Sequence, residues 1–173
     1  MTVLNKYQTA YDCLRVYVRQ SKKVRQTPET VATKEGLYLA FYAGDKGFLV
    51  RSDQVLEITR KAQIITPLPF TAPWMEGLVN VRGDILFVLN FSLLVAPESS
   101  RKVRDPVYVV LGSEAESFMI KVDDIQGMRH FPEMIAVNDG FYDGVRVTPL
   151  EQWLRINIDR LLNNSLLAQT AEH

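Results

Sequence analysis

The sequence predicts a mainly β protein: two sets of roughly five short strands forming two small barrels packed together, with an N-terminal helix and a short C-terminal helix. Three observations predict it. From Gly36 onward, apolar runs of strand length alternate with Gly-, Asp- and Pro-containing turns. A polar stretch, Pro97 to Arg104, divides these runs, and those after it repeat the plan of those before it. The first 35 residues carry a helical period instead. Closing each sheet on itself would remove its free edges; flat sandwiches satisfy the same pattern.

Taken in order, Leu4, Tyr7, Tyr11, Leu14 and Val18 recur at spacings of three and four, which places them on one helix face. Thr2 can cap the start. Arg19, Lys22, Lys23 and Arg25 suit the C-terminal end of a helix dipole, and Pro28 ends the helix. Such a helix either docks on its own domain or meets a partner or a second copy. Gly36–Tyr42 and Phe48–Arg51 read as strands about the turn Gly44-Asp45-Lys46-Gly47, Ser52 can cap a short helical turn through Val55, and Glu57–Arg60 is extended. Pro67, Pro69 and Pro73 bar regular structure. In Asp84–Phe91, Ile85, Phe87, Leu89 and Phe91 fall on one face, Leu86, Val88 and Asn90 on the other. Ser92 opens a short apolar turn, Leu93–Val95.

Beyond the linker, Val107–Leu111 is apolar on both faces, Gly112–Glu116 is a turn, and Phe118, Ile120 and Val122 alternate with Met119 and Lys121. Gly127–Phe131 is extended up to Pro132, and Asn138–Gly144 reads as a long turn region. Leu154, Ile156 and Ile158 alternate with Trp153, Arg155 and Asn157, and Asp159 is placed to cap a final helix to about Leu167.

Composition narrows the function. The 173 residues are 47% hydrophobic, enough for a core, and 20 Lys plus Arg balance 20 Asp plus Glu. A formal charge of zero argues against a nucleic-acid partner, because neutralising phosphates needs a basic excess or stripe. Cys13 is the one cysteine, so no intramolecular disulfide forms. Met1–Ala10 lacks the apolar core of a signal peptide, and no apolar run approaches the roughly 20 residues of a spanning helix. The expectation is a cytosolic protein without direct membrane insertion.

Catalysis finds little support. The histidines are His130 and the terminal His173, which with Cys13 give no metal-ligand spacing, so neither metal nor cofactor is expected. A Cys13–His130 nucleophile pair competes with a plain strand histidine. No phosphate-binding loop is present, since Gly44-Asp45-Lys46-Gly47 lacks the required spacing. Asp123 and Asp124 are neighbours, which on one strand point to opposite faces, so a solvated or capping role is expected. Arg82-Gly83-Asp84 spells an adhesion tripeptide, which in a cytosolic chain is chance.

One constellation stands apart: Glu76-Gly77-Leu78-Val79-Asn80-Val81-Arg82-Gly83-Asp84-Ile85-Leu86-Phe87-Val88-Leu89. Two glycines, Gly77 and Gly83, bracket a strand ending in Asn-x-Arg-Gly. Gly83 can take positive φ in a hairpin turn, Asn80 can bond backbone across it, and Arg82 offers a planar donor fork suited to a carboxylate. This stretch resembles the signature of the CheW-like family, Gly-x-x-Asn-x-Arg-Gly before an apolar strand, with Val81 where Leu is usual. Val55-Leu56-Glu57-Ile58, Ile65-Thr66-Pro67-Leu68-Pro69 and Phe118-Met119-Ile120-Lys121-Val122-Asp123-Asp124-Ile125 are similar to three further family segments. The resemblance runs from about Gly36 to Leu162. Beside the helical extension that the spacing gives over 1–35, it implies a CheW-like domain over 36–167, with lobes at roughly 36–96 and 105–158 and a closing helix. Gly127-Met128-Arg129-His130-Phe131-Pro132, with Asn80-Val81-Arg82-Gly83 and the leading segment, is similar to the type IV pilus branch, the PilI-like proteins.

The resemblance implies two SH3-like five-stranded barrels and an adaptor with no active site. Its implied partners are the cytoplasmic tip of a methyl-accepting chemoreceptor and the regulatory domain of a CheA-type histidine kinase, in arrays at the membrane; in a pilus system the output is twitching motility. Glu57 and Arg82 match family positions that form an ion pair near the receptor-binding surface. Val55, Ile58 and Val88 are candidates for an apolar groove beside it, and each also fits plain core. Competing readings are a regulatory domain of other two-component signalling and a small β-barrel enzyme.

Overall fold

The computed structural model describes residues 36–61, 63–98, 103–112 and 116–163. The expected first helix with Cys13, and the end of the last helix with His173, lie outside the described residues. The strands are β1 Leu37–Ala43, β2 Lys46–Arg51, β3 Val55–Thr59, β4 Met75–Val81, β5 Asp84–Asn90, β6 Val107–Gly112, β7 Ser117–Val122, β8 Asp124–His130, β9 Ile135–Asp139, β10 Tyr142–Val147 and β11 Gln152–Ile156. Two short helices, α1 Phe91–Val95 and α2 Ile158–Asn163, and a 3-10 turn Ser52–Gln54 complete the described elements.

The strands form a six-stranded sheet, β8-β1-β2-β11-β10-β9, and a five-stranded sheet, β3-β6-β7-β5-β4. The two sheets do not follow the order of the chain. The first sheet takes strands from both ends of the chain, the second takes the middle. The parallel pairs β2–β11 and β5–β7 are the cause, because each inserts a late strand beside an early one. Hydrophobic alternation shows which face a strand buries and is silent on its neighbour. The first sheet also gains a sixth strand. Within the expected long turn at 138–144, β9 and β10 meet through a tight connection in which Gly140 has φ 58°. β9 is largely exposed and lacks the apolar alternation that would mark it.

Local expectations shift by small steps for local reasons. Asn90, not Ser92, caps α1: its Oδ1 accepts from Leu93 N–H at 3.1 Å. Asn157, not Asp159, caps α2, accepting from Arg160 N–H at 2.9 Å. Ser52 lies inside its 3-10 turn, which no side chain caps.

Each sheet is apolar on both faces. One face of each meets the other sheet in a shared core, built from Leu39, Phe41, Phe48 and Val50 of the first sheet and Phe87, Leu89, Val109 and Ile120 of the second. The opposite faces bury separate clusters: Tyr38, Ala40, Leu49 and Trp153 in the first sheet, and Val79, Leu86, Val88, Tyr108, Val110 and Met119 in the second. Both faces of β5 are therefore used, as its two apolar rows require.

The second sheet curls. Its terminal strands in hydrogen-bonded order are β3 and β4. Yet Arg82, in the turn after β4, lies 3.2 Å from Glu57 of β3. An ion pair thus bridges the seam of a barrel-like sheet.

Candidate functional site

The turn between β4 and β5 has two residues, with Val81 paired to Asp84 and Arg82-Gly83 between them. Both have positive φ, 53° at Arg82 and 95° at Gly83, as a type I′ hairpin turn demands. Asn80 Oδ1 accepts from Gly83 N–H at 2.9 Å and closes the turn. Glycine adopts this backbone freely; arginine there is strained by roughly 1–2 kcal/mol. The turn lifts Arg82 into solvent, 81% exposed, where it meets Glu57, 31% exposed.

At the other end of the hairpin, Gly77 has φ 140°, and a Cβ built on it would lie 2.1 Å from the carbonyl oxygen of Thr66. Thr66 and Leu78 exchange backbone hydrogen bonds, N–H to O at 2.8 and 2.9 Å. The Pro-containing link is thereby pinned to β4. Past this pin the chains diverge around a cleft of about 600 Å³ lined by Gln63, Ile64, Thr66, Leu78, Val79, Asn80 and Ile85.

The expected groove residues separate. Val88 is fully buried in the second sheet's own cluster. It cannot line an open groove, so of its two expected readings plain core fits, on the face of β5 turned away from the shared core. Val55 is partly buried against the shared core, whereas Ile58 is 42% exposed on the outer side of β3. A β-bulge falls between Val55 and Glu57. Sequence reasoning missed Leu56, 60% exposed, and Ile64, 92% exposed. The spacing of two between Leu56 and Ile58 was the available signal; the edge position of β3 comes only from the sheet order. The structure thus pairs Glu57 with Arg82, with Leu56 and Ile58 flanking Glu57 along β3 and Asn80 closing the turn.

Elsewhere the charged groups tie structure together. In the first sheet, Arg155 Nε donates to Asp143 Oδ1 at 2.6 Å and its NH1 to the Tyr38 hydroxyl at 3.3 Å. Burial lowers the Arg155 pKa, but these bonds outweigh it and the net shift is upward. Burial, with Asp139 adding to it, pushes the Tyr142 phenol up to about 12. Asp124 pairs with Arg60 at 3.3 Å on the surface, while Asp123 turns inward. Among the described residues, no group of three or more His, Cys, Asp or Glu is placed to hold a metal ion. No described helix is long and apolar enough to cross a membrane.

This geometry defines a class: a two-sheet β protein whose exposed features include a seam ion pair, apolar edge residues and a cleft. Comparison with known proteins gives the family. The CheW-like domain matches residues 37–164, and the chain belongs to that family. Protein FrzA of Myxococcus xanthus is 32% identical over 103 residues, 58% of this chain and 62% of FrzA. Protein PilI of Pseudomonas aeruginosa is 32% identical over 96 residues, 54% of this chain and 52% of PilI. The matched region thus spans less than two thirds of either relative. The crystal structure of the scaffolding protein TtCheW from Thermoanaerobacter tengcongensis superposes with a TM-score of 0.64 at 19% identity, covering 70% of this chain and 88% of that one. The mainly β plan of two SH3-like lobes expected from the sequence is the plan of this family.

Proposed function

We propose that this chain is a non-catalytic adaptor that couples a methyl-accepting chemoreceptor to a CheA-type histidine kinase, in a chemosensory system that governs twitching by type IV pili. Membership of the CheW-like family supports the class, and the similarity to PilI supports the pilus branch. The observation that carries the site is the Glu57–Arg82 pair on a strained, outward hairpin. A backbone strained at an exposed residue points to a role other than stability.

The chemistry follows from the geometry. A helical receptor tip presents apolar residues at i, i+3, i+4 and i+7. Leu56 and Ile58 offer an exposed apolar edge to such a face. Arg82, anchored to Glu57, keeps donors of its fork for a partner carboxylate. Glu57 fixes the direction of the guanidinium, so less rotamer freedom is lost on docking. The kinase meets a second surface, and array avidity strengthens contacts that are individually weak. Co-purification of the full chain with a chemoreceptor tip and a CheA-type regulatory domain tests the reading. A ternary complex that Arg82→Ala weakens at its receptor arm is expected; binding to neither protein would end the proposal.

A further inference from the structure

Asp123 takes no part in the surface just described. It is the single residue between β7 of the second sheet and β8 of the first. The chain passes directly between the sheets there and, among the described residues, at Ser52–Gln54. The Asp123 carboxylate uses both oxygens. Oδ2 accepts from Gly44 N–H at 2.8 Å and Oδ1 accepts from the Ser92 hydroxyl at 2.6 Å. The Asp123 N–H donates to Tyr42 O at 3.0 Å. Tyr42 lies on β1 and Gly44 in the turn after it, both in the first sheet, whereas Ser92 continues from β5 of the second.

The residue before Ser92 crosses the same boundary. Phe91 is fully buried, and its ring lies 5.6 Å from Phe41, 5.0 Å from Phe48 and 6.2 Å from Phe141, none of them in the second sheet. Asn90 steadies the start of α1, capping Leu93 N–H and donating at 3.0 Å to Glu76 Oε1, which Lys121 Nζ also meets at 2.7 Å.

We propose that Asp123 is a positioning residue, a two-point latch that, with Phe91 as its peg, sets the angle between the two sheets. Apolar burial in the shared core holds the sheets together but is non-directional. A carboxylate accepting from a backbone N–H on one side and a hydroxyl on the other is directional and charge-assisted. Losing it leaves the core in place and frees the angle. β5 runs from the Arg82-Gly83 turn straight into α1, so a displacement of that turn reaches the latch. That last consequence, unlike the latch itself, rests on the adaptor reading.

The test needs neither receptor nor kinase. In the full chain carrying Cys13→Ser, nitroxides are placed at the exposed positions Leu56→Cys on β3 and Ile135→Cys on β9, one in each sheet. Pulsed electron resonance reads the distance distribution, and amide exchange reads the Gly44 N–H. We expect a narrow distribution that broadens in Asp123→Asn and Asp123→Ala, with Gly44 exchange faster by about tenfold or more. Ser92→Ala broadens the distribution less and leaves Gly44 protected. Asp124→Asn, the same charge change one residue on, which loosens only the exposed pair with Arg60, leaves Gly44 exchange unchanged. Should Asp123→Ala not fold, Asp123→Asn and Ser92→Ala decide by the same readouts. Folded Asp123 variants with unchanged distances and unchanged Gly44 exchange overturn the latch.

Discussion

The two glycines of the β4–β5 hairpin serve opposite ends. At Gly77 the backbone of Thr66 approaches so closely that no side chain fits, and the exchanged bonds between Thr66 and Leu78 depend on that approach. At Gly83 a Cβ would meet nothing within 4 Å, and only the sign of φ favours glycine. One end of the hairpin is held by close contact on several sides. The other projects an exposed arginine on strained backbone. Stability is thus concentrated where the signature motif begins, and the proposed partner contact lies where it ends.

The comparison can be broken by mutation. Gly77→Ala is the most damaging change expected: a Cβ against backbone forces the link away from β4 and costs about 3 kcal/mol or more, read as a drop in the urea midpoint. Gly83→Ala, with open space but unfavourable φ, costs about 1–2 kcal/mol. Equal losses at the two glycines would erase the distinction. Arg82→Ala removes an exposed ion pair, worth about 0–1 kcal/mol, while receptor binding falls about tenfold or more. Arg82→Gly also relieves the backbone and is expected to be as stable as the parent, yet deficient in binding. A parallel loss of stability and binding across these variants would make the turn a folding element only.

A smaller effect sharpens the contrast from the first sheet, where Tyr142 is held by burial rather than by backbone approach. Its phenol titrates near 10 when unfolded and at about 12 when folded. The folded state therefore binds the proton more tightly, and this contribution to stability is complete below pH 10 and lost as pH rises towards 12. Tyr142→Phe should show a shallower fall of the urea midpoint over that window. Identical slopes would mean that the phenol is not shielded as its burial suggests.

Much of this was legible in the sequence. The strands β5 and β7 follow from alternation in Ile85–Phe91 and Phe118–Val122, and β6 from the unbroken apolar run Val107–Leu111. The turn at Arg82-Gly83 follows from the motif, because a two-residue hairpin needs positive φ and Asn80 is placed to close it. What was hidden is what depends on distant pairing. No local pattern shows that β11 lies beside β2 or β7 beside β5. The same ignorance left Val88 open between groove and core, because a strand buried on both faces reads like one with a groove face. It also made Asp123 look solvated, since its partners Gly44 and Ser92 are 79 and 31 residues away.

The central claim is that this scaffold acts by touching two proteins at once, with Arg82 at one contact. Titration calorimetry of the full chain against a soluble chemoreceptor tip, then against a CheA-type regulatory domain with the tip bound, tests it most directly. Both are expected to bind together, and Arg82→Ala is expected to weaken the receptor step about tenfold while its melting temperature stays within about 2 °C of the parent. Mutually exclusive binding of the two proteins, or receptor affinity indifferent to Arg82, would contradict it.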